Sequence, residues 1–504
     1  MERIERQQLK SLESDKEYNS CVFYLDDETH TIKNSRFYHC SFRSPTSLIL
    51  KNCKFENSNF SYLHLVCDDE ISLEYLELKP NALTINFHIR KIPQEICQLR
   101  NLEKLIADRS RISSLPPEIG QLTSLTHLNL RGNFLKNLPE EMGELTRLTY
   151  LNLDVNKLTC LPFSIGKLEN LTYLSLRNNA LTDVPVSISK LKNLSNLSLA
   201  GNKLNDFPAT ISELPNLADL DLMGCGLAKL PTSIGQLTNL RSLLLYNNEL
   251  TKLPAEIGRL KNLAKLGLSD NNLQALPGEI AQLSALTELD LQNNTFELLP
   301  KEIGELTRLT ELNLWGNSLR KLPTEVGQLV NLKILELTGN QLTELPREIG
   351  QLVHLKTLSF EGSHLTELPA EIGQITHLEN LHIYFNNALT KLPAEIGLLT
   401  NLRYLIIRDN QLSELPAEIG KLTNLEYLDL SENRIAQLPK EIGKLSKLRE
   451  LNLFNNRLTH LPCEMTNLTS LTLLSLDGNQ FELPLEMNKS PQEQIQFVLN
   501  RAHT

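Results

Sequence analysis

Positive charge is what this chain is short of. Its 504 residues carry 50 Lys and Arg against 60 Asp and Glu, a formal charge of −10, with no basic run. That balance argues against nucleic acid or an anionic membrane as the main partner, since both select basic patches. No stretch approaches the roughly 18 consecutive apolar residues of a membrane span, so no membrane insertion is expected. The opening residues Met1 to Gln8 are charged and lack an apolar core, so no secretory leader is expected either. Eight cysteines contain no C-x-x-C pair and no cluster at either end. Reduced thiols in a cytoplasmic setting follow, and delivery into a host as a translocated effector fits the same composition.

Catalytic signatures are missing as well. There is no G-x-x-x-x-G-K-[ST]; Gly420-Lys421 and Gly443-Lys444 lack the preceding glycine that cradles a phosphate. No G-x-S-x-G, H-E-x-x-H or kinase signature occurs. His354 and His377 stand at equivalent places 23 residues apart, but no third ligand accompanies them. The expectation is a protein that is not an enzyme and needs no cofactor or metal.

What the chain does have is a period. Thirteen prolines stand 23 residues apart from Pro93 to Pro369; Pro393, Pro416, Pro439, Pro462 and Pro484 follow, the first after a step of 24. A fixed period of this length means a stack of similar units, not a globular domain around one centre. One unit runs from Leu125 to Leu145 as L-x-x-L-x-L-x-x-N-x-L-x-x-L-P-x-x-M-x-x-L. Leu128 and Leu130 alternate with polar residues, which makes a short strand with one face inward. Asn133 ends the strand, where a buried amide can bond neighbouring coils. Ser110, Cys225 and Ser363 replace the asparagine in three coils. Pro139 suits the first turn of a short helix, where its missing N–H is not needed.

With this motif recurring about 17 times, the chain resembles the leucine-rich repeat family, in its LP-x-E-I-G 23-residue type found in cytosolic proteins. The resemblance covers about four fifths of the chain. It implies an α/β leucine-rich repeat solenoid, a horseshoe with a concave parallel β-sheet, short helices or 3-10 turns on the convex side, and caps at both ends. It also implies a protein-interaction scaffold, in signalling assemblies where a small GTPase is one partner class.

The expected organisation is an N-terminal cap region over 1–93, the repeat array over 94–484, and a capping helix in 485–504. Ser490-Pro491-Gln492-Glu493 is a capping box, and Ile495, Val498 and Leu499 form the apolar stripe of that helix. Near the N-terminus, Phe37 and Phe42, then Leu50, Phe55, Phe60 and Leu65, recur every five residues. Over 35–65 this pattern fits either a square pentapeptide-type β-helix or an irregular cap. Cys40 and Cys53 are expected to be buried.

The outward strand positions lie six, four, two and one places before each asparagine. Read in columns, they begin with Lys104, Arg109, His127, Arg131, Tyr150, Tyr173 and Arg177. An acidic band follows: Asp219, Asp221, Asp270, Glu288, Asp290, Glu311, Glu336 and Glu361, relieved mainly by Lys265. The last third carries His382, Tyr384, Phe385, Tyr404, Arg408, Tyr427 and Phe454. Trp315, the single tryptophan, falls on an outward position. Aromatics and arginines dominate binding hot spots, so these residues are candidate contacts for a protein partner with a basic surface. Self-assembly through the apolar C-terminal third is an alternative, and an activity confined to the N-terminal region a remote one.

Overall fold

The structure is a computed structural model. It describes residues 94–386, 388–481 and 490–501, together with 2–5, 8–9, 13–19, 21–23, 29–33, 35–38, 41–42, 46–51, 54–56, 59–60, 63–65, 82–85 and 91–92. The chain divides into two compact units, Met1–Leu244 and Leu245–Thr504.

In the first unit, short N-terminal strands stack in parallel in three columns. One holds Glu2–Glu5, Lys16–Asn19, Arg36–Tyr38 and Lys54–Glu56. A second holds Gln8–Leu9, Val22–Phe23, Ser41–Phe42 and Asn59–Phe60. The third runs through Thr29–Lys33, Thr46–Lys51, Leu63–Leu65 and Ala82–Ile85, then continues into the repeat strands from Lys104–Ile106 to Ser242–Leu244. Phe37 pairs with Phe55 and Phe42 with Phe60. Among the described residues the five-residue spacings Phe37–Phe42 and Phe55–Phe60 therefore connect different columns. Tyr18 and Phe37 stack at 4.9 Å, and Phe23 meets Tyr18 edge-on at 5.1 Å, all three fully buried. Cys40 and Cys53 lie outside the described residues.

Most repeat coils give a three-residue strand, a turn and a 3-10 turn of five residues; the strands Thr357–Glu361 and Asn380–Tyr384 run to five. The prolines differ from the reading of them as first helical residues. Pro139 is extended (φ −71°, ψ 150°) and precedes the turn Glu140–Glu144, with its carbonyl accepting from Met142 N–H at 3.1 Å. Its fixed φ suits the entry, and its free carbonyl closes the turn. The glycine that follows the next apolar residue in most coils meets its neighbour closely: a Cβ on Gly304 would lie 2.5 Å from the Glu325 carbonyl oxygen of the following coil. Close coil spacing thus favours I-G, although Ser189, Ser212, Ala281 and Thr466 stand at this place in other coils.

In the second unit the strands Lys265–Gly267 through Leu473–Ser475 pair in parallel register one coil apart. Side chains such as Leu289, Leu291, Ile303 and Leu309 fill the interior. The helix Pro491–Arg501 closes the last coil, burying Ile495 and Val498. Ser490 N–H and Oγ each meet Glu493 Oε2 at 2.9 Å, and Gln492 Nε2 donates to Leu468 O.

Asparagine links the coils. Asn294 Nδ2 donates to Leu268 O at 2.9 Å and Leu291 O at 3.1 Å, while its Oδ1 accepts from Leu273 N–H at 2.9 Å. Where Cys225 replaces the asparagine, its buried thiol meets Leu199 O at 3.3 Å, and burial pushes its pKa up to about 11. That thiol is structural and unreactive. Asn294→Ala should cost about 3 kcal/mol, because buried backbone groups lose their partners. Urea unfolding with hydrogen exchange checks this; a loss under about 0.5 kcal/mol, or opening elsewhere than in the coils joined by Asn294, would contradict the ladder's role.

Candidate protein-binding surface

Strand alternation points every second side chain away from the core, and pairing in register lines these side chains up across coils. In the first unit this aligns His127, Tyr150 and Tyr173. Tyr150 stacks on Tyr173 at 4.5 Å and on His127 at 5.8 Å. Burial, and then the nearby Lys104, lower the His127 pKa. Further along, Asp219 accepts from Asn196 Nδ2 at 2.6 Å. Asp221 faces Arg177 at 3.6 Å and accepts from Ser198 at 2.9 Å. These two acids are engaged by their own neighbours.

The second unit differs. Tyr246 lies across Gly267, where a Cβ would strike its ring. Beside this ring lies a hollow of about 140 Å3 lined by Tyr246, Lys265, Glu288, Asp290, Glu311 and Asn313, with Leu266 and Leu289. Lys265 pairs with Glu288 at 2.7 Å. Asp290 is half-buried, and that burial raises its pKa. Trp315 is 41% exposed, its N–H bonded to Asn313 Oδ1 at 3.1 Å. Glu336 accepts from Thr338 N–H at 3.0 Å. Glu361 pairs across the sheet with Tyr384, and its pKa is raised by burial and then by Glu336. Burial, then Glu361 and Glu336, raise the Tyr384 hydroxyl. His382 meets Ser359 Oγ at 3.4 Å, and burial lowers its pKa.

Beyond these acids lie the aromatics. Phe385 is 40% exposed, takes a left-handed backbone (φ 51°), and carries the Arg408 guanidinium 5.4 Å from its ring. Tyr404 and Tyr427 sit 6.3 Å apart, with Arg403 over Tyr404 and paired to Glu426 at 2.8 Å. Phe454 is 41% exposed. The aligned columns also expose Ile334 and Leu473, which a reading focused on aromatics and acids passes over, along with the hollow beside Tyr246. The first two were visible as apolar residues in an outward column; the hollow needed the side-chain positions.

The asparagine ladder falters beside these aromatics. Ser363 Oγ is buried without a partner. Asn386 Nδ2 turns to Leu365 O at 2.7 Å, and Asn410 Oδ1 is left unpaired. Elsewhere the acceptor meets an N–H 21 residues back, as with Leu412 and Asn433; the 24-residue step shows in the donor bond instead, which spans 27 residues from Asn410 to Ile383 O where Asn433 spans 26 to Ile407 O.

His354 and His377 come within 5.6 Å, ring to ring, but His377 Nδ1 contacts Val353 O at 2.9 Å, at a position where Asn401 and Asn424 make the corresponding bond. Its role is structural, and no cluster able to hold a metal occurs among the described residues. Because the folded-state pKa of Glu361 is raised, its ionisation costs stability. That cost is absent below the unfolded pKa and develops as pH rises through the folded one. Glu361→Gln should therefore melt at or above wild type at pH 7, with the difference shrinking toward pH 4, as followed by circular dichroism. A lower melting point at pH 7 would contradict the unfavourable placement of this charge.

A family model described as a leucine-rich repeat region matches residues 32–159, 136–228, 159–249, 220–324, 319–402 and 393–482. Among solved structures, the leucine-rich repeat protein LIC12759 of Leptospira interrogans is 36% identical, covering 78% of this chain and 89% of that one, with a TM-score of 0.58. The ectodomain of the Arabidopsis receptor kinase HAESA, solved in complex with an N-terminally extended IDA peptide hormone, is 27% identical over 90% of this chain and 80% of that one, at 0.64. The functional domain of InlJ from Listeria monocytogenes is 25% identical over 76% and 74%, at 0.56. No curated protein matches.

Proposed function

The chain belongs to the leucine-rich repeat family, and from that premise we propose that it is a non-enzymatic scaffold binding a protein partner on the outward face of the sheet in residues 245–504. The observation that carries this reading is apolar exposure where the repeat requires none. Trp315, Ile334, Phe385, Tyr404, Phe454 and Leu473 are each 38–53% exposed on outward positions that many other coils fill with polar residues. Exposed aromatics are costly to leave in water and are typical binding anchors. The similar HAESA ectodomain holds a peptide, which supports a protein or peptide segment as the ligand class. The acidic stretch from Glu288 to Glu361 favours a partner with a basic surface. A small GTPase is one such class; no residue on the face singles it out. Among the described residues no helix is long and apolar enough to cross a membrane. The described cysteines are free thiols, two of them exposed, which favours a reducing setting such as the cytoplasm.

Affinity capture followed by quantitative mass spectrometry tests the proposal. Trp315→Ala with Tyr384→Ala should lower recovery of the wild-type partner about tenfold, as expected for hot-spot truncation. Leu398→Ala, at an exposed position in the 3-10 turn Ala394–Leu398, should leave recovery unchanged. Equal recovery by both variants would defeat the reading.

A further inference from the structure

We infer that the element bound by this face is an extended basic segment of a protein, with a lysine or arginine side chain seated between Glu336 and Glu361 and against Tyr384. The inference rests on the face-binding reading and adds the chemistry of the ligand.

Charge on the face is lopsided. Glu288, Asp290, Glu311, Glu336 and Glu361 occupy outward positions on four neighbouring strands, Glu288–Asp290, Glu311–Asn313, Ile334–Glu336 and Thr357–Glu361. Lys265 answers Glu288 from the preceding strand. From Glu311–Asn313 through Asn380–Tyr384, no outward position carries Lys or Arg. Glu311, Glu336 and Glu361 form no ion pair among the described residues. Like charges on adjacent strands repel, and a fold selected only for stability would not keep them.

The seat itself follows from the register. Glu336 pairs with Ser359, and Glu361 lies two residues further along that strand, so the two carboxylates are diagonal neighbours. With strands about 4.8 Å apart and a rise of about 3.3 Å per residue, their Cα atoms stand about 8 Å apart, a spacing from which two glutamates can reach one ammonium or guanidinium. Tyr384 stands directly across from Glu361, and Phe385 packs edge-on against Tyr384 at 6.1 Å. This wall already accepts a cation: Arg408 lies over Phe385. An aromatic wall beside two carboxylates that form no ion pair among the described residues, Glu336 being held by Thr338 alone, recognises an organic cation. A metal ion does not fit, since no cluster of metal-ligating side chains occurs among the described residues. Exposed Trp315, two residues past the strand Glu311–Asn313, and Ile334, on the strand before that of Glu361, call for apolar neighbours flanking the cation, which a polypeptide supplies.

Panning a displayed library of random dodecapeptides against the full chain tests the inference. Enriched clones should carry an excess of Lys or Arg beside aliphatic or aromatic residues, and their binding should weaken as salt is raised. Glu336→Gln combined with Glu361→Gln should reduce their affinity about tenfold or more, as should Trp315→Ala. Circular-dichroism melting at or above that of wild type shows that the double variant is folded. Clones that need Trp315 yet lack basic residues, or ignore the double substitution, overturn the basic-segment inference and leave the face-binding reading standing. Clones indifferent to both changes, or no enrichment of any clone, overturn the two together.

Discussion

Most coils of the repeat depend on one buried amide. An asparagine after the strand donates to carbonyls of its own and the preceding coil and accepts an N–H from the loop between them, as Asn317 does with Leu314, Leu291 and Phe296. A backbone that bends sharply in the interior leaves polar groups that water cannot reach, and this side chain satisfies them. The remaining constraints follow from the spacing it sets. Coils come close enough for a Cβ on Gly304 to collide with the next coil, proline closes each 3-10 turn, and leucines fill the interior.

Because the ladder and the leucines carry the fold, outward side chains are free to serve something else. In the second unit they carry acids that form no ion pair among the described residues and exposed aromatics, both of which cost stability or solubility and neither of which the repeat needs. The ladder weakens in the same place. Unpartnered Ser363 Oγ and Asn410 Oδ1 flank the coil that presents Tyr384 and Phe385. Local departures from a strong rule tend to collect where function competes with stability.

Much of this was legible in the residues. The proline period, the alternation around Leu128 and Leu130 and the recurring asparagine specify the coil, and counting back from the asparagine places Trp315 and Phe454 on the surface. Other features depend on what neighbours do. Asp219 and Asp221 read as members of an acidic band, yet Asn196, Arg177 and Ser198 engage them. Gly267 reads as a variation until Tyr246 is seen lying over it. The five-residue spacings Phe37–Phe42 and Phe55–Phe60 do not by themselves reveal which strands pair; among the described residues the register sets Phe37 beside Phe55 and Phe42 beside Phe60. Proline's fixed φ serves both an entry and a first helical position, so only the carbonyl bond to Met142 separates the two.

The central claim is that the outward face of residues 245–504 is where a partner sits. Hydroxyl-radical footprinting of the free and partner-bound protein measures this side chain by side chain. The account predicts loss of labelling at Trp315, Tyr384, Phe385 and Phe454 on binding, with Leu298 and Leu398, exposed away from the strands, still labelled. Protection of Leu298 and Leu398 with Trp315 and Phe385 unchanged would contradict it.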